Sequence, residues 1–169
     1  EARQIISSGE ILVDGEAQKD YQYPCGLMDV ITLPKLKKHY RILFNQKGRL
    51  TLVTINSKDS EWKLLQIKNK TMLKKGLVQL NLHDGRNKIV KKDEYDTGDV
   101  LKISLKDRKI QDVFKFKKGS VSMITGGNHI GEVADIQDLT VVPSSRPNLV
   151  SMKGKTEFST LTDYVSPIG

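Results

Sequence analysis

The chain has 169 residues with 37% apolar and 28% charged side chains, enough for one large domain or two to three small ones with modest cores. No stretch approaches the roughly 18 apolar residues that cross a bilayer, and no leader pattern opens the chain, so a soluble, intracellular protein without a membrane partner is expected. The single cysteine, Cys25, cannot close an internal disulfide, and neither it nor His39, His83 or His129 has neighbours at ligand spacing. No metal and no cofactor are expected.

In chain order, Glu1 to Ile6 open in helical pattern without an initiator Met, so preceding residues are expected to have been removed. The helix should stop at Ser7-Ser8-Gly9. Glu10 to Ala17 read as a hairpin turned by Asp14-Gly15, with Tyr21, Tyr23 and Pro24 extending the return. Gly26 to Leu33 read as a further strand, broken at Pro34. Alternation then predicts strands over 39–45, 49–55, 62–68, 77–82, 87–90, 100–105 and 110–116, with turns at Gln46-Lys47-Gly48, His83-Asp84-Gly85-Arg86 and Asp96-Thr97-Gly98-Asp99. Trp62, beginning one of these strands, is expected in the core. From Gly119 to Ile136 two apolar runs, carrying Val121, Met123, Ile130, Val133 and Ile136, flank the glycines Gly126, Gly127 and Gly131. That is a hairpin with a prominent loop, and Asn128 and His129 sit at its tip.

Charge is distributed unevenly. Residues 1–34 carry a net −4 and residues 119–169 a net −2, whereas residues 35–118 hold 23 basic against nine acidic side chains, an excess of +14. Such a concentration is the footprint of phosphate binding, although any one lysine cluster could equally protect a strand edge. Catalytic patterns are missing: no Gly-x-Ser-x-Gly frame, no phosphate-cradling Gly-rich loop ending in Lys-Ser/Thr, and a His129-Ile130-Gly131-Glu132 string that lies in a hairpin rather than a β-α unit.

The Gly119–Ile136 hairpin resembles the KOW motif, which implies a small SH3-like barrel that touches RNA or protein. Helix followed by hairpin, with Arg3 and the Val13-Asp14-Gly15 turn, resembles the second half of the S-four type RNA-binding fold. Pseudouridine synthases also carry that fold with a catalytic Arg-Leu-Asp, but here the nearest string is Arg49-Leu50-Thr51, and threonine cannot replace the aspartate. Residues Gly9 to Gly15 and Asp20 to Ile31, with the closing Lys155 to Gly169, resemble the archaeal and eukaryotic small-subunit ribosomal protein S-four-E family. The resemblance implies a mainly β chain with a short N-terminal helix: a partial S-four type RNA-binding domain over 1–34, a basic central β domain over 35–116 and a KOW barrel over 117–169. Family members also have a basic N-terminal extension and the first half of the RNA-binding fold.

The expected function is that of a structural constituent of the small ribosomal subunit, cytoplasmic, binding rRNA without catalysis. Its expected partners are small-subunit rRNA and neighbouring ribosomal proteins, and it is expected to be a monomer outside the ribosome. The alternative is a KOW-type protein-binding adaptor of transcription or translation. Expected RNA contacts are Arg3, Lys19 and Tyr21 in the first module, whose ring could stack on a base or pack under the hairpin; Lys35, Lys37, Lys38 and Arg41 at the junction; and Lys117, Lys118, Asn128 and His129 around the last hairpin.

Overall fold

A computed structural model of the chain describes residues 2–141 and 148–169. One short helix, α1 (Ala2–Ser7), precedes three five-stranded antiparallel sheets, so the chain is mainly β. Glu1, the start of the expected helix, lies outside the described residues.

The first sheet has the order β2-β1-β3-β4-β5, built from β1 (Ile11–Val13), β2 (Glu16–Gln18), β3 (Val30–Leu33), β4 (Lys38–Phe44) and β5 (Leu50–Ile55). Asp14-Gly15 turns the hairpin as expected, with both residues at positive φ. The return strand, however, ends at Gln18, because the Asp20 carboxylate accepts the Gln22 N–H at 2.9 Å and folds the following residues into a turn. β3 likewise begins four residues later than the apolar run. The Asp29 carboxylate accepts the Gly26 N–H at 2.7 Å, and Met28 sits at φ +70, so Gly26 to Asp29 are a turn. This sheet crosses the expected module boundary at 34/35, since β3 and β4 pair over Val30–Arg41 to Leu33–Lys38 around a tight turn at Pro34.

The central sheet, β10-β9-β6-β7-β8, contains β6 (Trp62–Met72), β7 (Val78–Leu82), β8 (Asn87–Val90), β9 (Val100–Ser104) and β10 (Ile110–Phe114). β6 serves two partners: residues 62–66 pair with β9, and from Ile67 onward the strand pairs with β7, with an irregularity between Ile67 and Asn69. That bend lets one strand bound both halves of a small barrel. Leu65, Ile67, Val78, Leu80, Leu82, Leu101 and Ile103 fill the interior.

In the third sheet, β14-β13-β12-β11-β15, the strands are β11 (Val121–Ile124), β12 (Val133–Thr140), β13 (Leu149–Lys153), β14 (Glu157–Leu161) and β15 (Val165–Pro167). The last strand returns to pair with the first, giving a barrel-like meander around Ala134, Ile136, Val150, Met152 and Val165. A further apolar cluster draws on all three sheets or their flanks: Met28, Leu64, Val100 and Met123.

Candidate nucleic-acid interface

α1 and the turn after β2 meet at one corner. Arg3 places its guanidinium carbon 4.4 Å from the centroid of the Tyr21 ring, which is 51% exposed. Tyr21 therefore presents its ring to solvent beneath a cation rather than packing under the hairpin. Beside it the Lys19 stem runs along Gly9, where an added Cβ would stand 3.4 Å from the lysine Cε. Next in the chain, Glu10 accepts a hydrogen bond from Lys35, and that bond with its accompanying charge holds the Glu10 carboxyl below its usual range. Arg3 stacks on Tyr21, Lys19 runs along Gly9, and Lys35 bonds Glu10, the residue after Gly9. Lys37, at φ +52, closes the turn with its N–H on the Pro34 carbonyl, and Lys37 and Lys38 project exposed from the start of β4.

Arg41 stands apart from this set. It is 6% exposed, its guanidinium donates to the Asp59 and Trp62 carbonyls at 2.7 and 2.6 Å, and it lies 4.0 Å from the Trp62 ring centroid. As a contact to an outside phosphate it is corrected: its charge is used internally, and burial lowers its pKa. Trp62 is half-buried at a seam, with Lys102 Nζ also 4.4 Å from its ring centroid, rather than enclosed in the core.

The last hairpin shows less of its loop than its glycines suggest. Ile130 and Gly131 pack on the β4–β5 turn: a Cβ on Gly131 would stand 2.5 Å from the Asn45 carbonyl oxygen, and Gly131 is at φ +81. His129 stacks on Phe158 with centroids 3.9 Å apart and approaches Glu132 at 3.3 Å, leaving it half-buried. Only Asn128 and its neighbour Gly127 are exposed at the tip. Lys117 and Lys118 are exposed in the link entering the third sheet.

What orients these surfaces is a buried ion cluster that sequence reading missed. Lys63 Nζ, 1% exposed, donates to Asp14 and Asp29 of the first sheet at 2.8 and 2.6 Å and lies 3.1 Å from Asp84 of the central barrel. Burial alone would lower the Lys63 pKa, but the hydrogen bonds it donates to Asp14 and Asp29 outweigh it and raise the ammonium above its ordinary value. Arg86 reaches Asp14 at 3.1 Å, and Arg108 pairs with Glu16. One signal was available: Lys63 shares the strand phase of Leu65 and Ile67, both interior. On the other side, Gln66 Nε2 donates to the Val165 carbonyl at 2.7 Å, joining barrel to barrel.

Comparison with known proteins places this arrangement. Residues 36–110 match the family model described as Ribosomal family S4e, and residues 1–31 match the S4 domain. The chain is 47% identical over 170 residues to small ribosomal subunit protein eS4 of Archaeoglobus fulgidus, covering all of this chain and 71% of that protein. Its identity to the eS4 of Methanothermobacter thermautotrophicus is 45% over 172 residues, with coverage of 100% and 70%. The crystal structure of the 30S ribosomal protein S4e from Thermoplasma acidophilum superimposes with a TM-score of 0.88 at 32% identity, covering 99% of this chain and 84% of that one. Sequence and fold agree over essentially the whole length, and the chain belongs to the S4e family of small-subunit ribosomal proteins.

Proposed function

We propose that this chain is a structural constituent of the small ribosomal subunit, acting in the cytoplasm, that binds small-subunit rRNA and neighbouring ribosomal proteins and catalyses nothing. The observation that carries the reading is the exposed Arg3–Tyr21 pair in a segment similar to an S4 domain, with Lys19 along Gly9 and Lys35 at Glu10 beyond it. Cations there can meet phosphates while the capped Tyr21 ring accepts an unpaired base. Lys37 and Lys38 extend the corner, and Lys117, Lys118 and Asn128 offer separate contacts near the last barrel. His129 supports its loop against Phe158. The chain is read as three modules, 1–34, 35–116 and 117–169, the first sharing its sheet with β4 and β5. Outside the ribosome the protein is a monomer.

Filter binding of the chain to transcribed small-subunit rRNA over a salt series tests this. Affinity should fall steeply with salt, and R3A/K19A/K35A should reduce the slope of log K against log salt by about two to three. Binding without salt dependence would overturn the reading, and recovery with polymerase subunits but not rRNA would favour an adaptor instead.

A further inference from the structure

The outward face of the central barrel is built of neutral amides inside the most basic part of the chain. On β6, β7 and β8 the register aligns two rows, Asn69–Asn81–Asn87 and Thr71–Gln79–Ile89. Residues of the opposite phase turn inward: Leu80 is fully buried, Lys70 donates to Asp93 and to the Tyr95 carbonyl at 2.7 Å, and Lys88 donates to the Arg108 carbonyl at 2.7 Å. Both rows are at least partly open to solvent, and neither carries a charge, although residues 35–118 hold an excess of +14. Asparagine is disfavoured in strands, and a face that merely meets water is served as well by Thr, Lys or Glu.

Cations gather instead at one end. Because Val78 pairs with Val90, Lys74 and Lys75 in the β6–β7 turn and Lys91 after β8 flank the Thr71–Gln79–Ile89 row at the same end of the three strands. Gln79 Nε2 donates to Asn81 Oδ1 at 2.9 Å, which orients the pair with Asn81 Nδ2 as donor and Gln79 Oε1 as acceptor toward a ligand.

We propose that this face is a second RNA-contact surface that takes the shallow minor groove of an A-form RNA helix. Side chains that both donate and accept match the 2′-hydroxyls and base edges displayed there, and the lysines at the end of the rows meet the flanking phosphates. A protein partner would call for an apolar centre, and this face offers only Ile89. The proposal rests on the rRNA-binding reading above.

The full chain, its N69A/N81A/N87A variant and its K74A/K75A/K91A variant are compared for binding to small-subunit rRNA over a salt series. The amide variant should lose about tenfold or more in affinity with its salt slope unchanged, whereas the lysine variant should lose about two to three in slope. N87A alone, at an exposed position, should still lose a few-fold, and this single change separates a lost contact from a lost fold. Hydroxyl-radical footprinting should show sugar protections that the wild-type chain gives and N87A weakens. If the wild-type chain binds rRNA and the amide variants bind as well, or lose only a purified neighbouring protein, this surface is wrong and the functional reading stands. If the wild-type chain fails to bind rRNA, both fall.

Discussion

The central barrel meets its two neighbours through different chemistry. Toward the first sheet the seam adds to apolar packing a buried ionic cluster, Lys63 among Asp14, Asp29 and Asp84, with Arg86 and an exposed Arg108–Glu16 pair reaching across. Toward the third sheet it is mostly apolar packing and backbone contact, with Met123 beside Leu64 and Val100 and the Val165 carbonyl held by Gln66. The ionic seam demands one geometry, because a shift that separates the charges leaves carboxylates buried without a partner; the apolar seam tolerates small slides at lower cost. The orientation of the first module on the barrel is therefore the more sharply defined of the two.

The largest expected effect tests the ionic seam. Lys63→Ala takes the buried ammonium from three carboxylates, leaving Arg86 as the cation near Asp14 and Asp84, and should cost about 3–5 kcal/mol in urea denaturation. A loss below about 1 kcal/mol, the range of surface pairs, would remove the distinction between the seams. Gly131→Ala should cost about 2 kcal/mol in the same measurement, since its Cβ would meet the Asn45 carbonyl oxygen at 2.5 Å and neither backbone can move away cheaply. This contact ties the third sheet directly to the first, outside both seams, so a cost near zero would show that the third sheet is held only through the barrel.

The smallest effect is a pH dependence. His83 Nδ1 accepts the Gln66 N–H at 3.1 Å and Nε2 donates to the Leu27 carbonyl at 3.3 Å, which suits the neutral ring, and burial pushes its pKa below the ordinary 6.5. The unfolded chain then takes up a proton first as pH falls, so the stability from neutral His83 is full above about pH 6.5 and lost progressively below it. His83→Gln should flatten this decline, measured as unfolding free energies at pH 7.5 and 5.5. An unchanged decline would rule out His83 as its source, since carboxylates such as Asp84, whose pKa is lowered because the Arg86 N–H and Lys63 outweigh its burial, lose their stabilisation only at lower pH.

Most strands were legible because their side chains alternate: β8 spans the predicted residues, and β4, β5, β7 and β9 differ by a residue at their ends. Strand ends set by a side chain rather than by alternation were not, as at Asp20 and Asp29, whose carboxylates bend apolar stretches into turns. At the site, Arg3, Lys19, Tyr21 and Lys35 were legible as basic and aromatic residues, but not by their contacts, since the Arg3–Tyr21 stack and the Lys35–Glu10 bond join separate segments. Arg41 looked like its lysine neighbours; only the fold turns it under Trp62. The Lys63 cluster joins residues from four separate segments, and no local pattern links charges so far apart in the chain.

That cluster also constrains the order of events as the polypeptide is made. Asp14 and Asp29 emerge from the exit tunnel well ahead of Lys63, so the opening hairpin must wait, hydrated and unfinished, for a counter-ion encoded 49 residues beyond Asp14. The N-terminal unit cannot mature as an early, independent folding event. It is completed by the barrel that follows it.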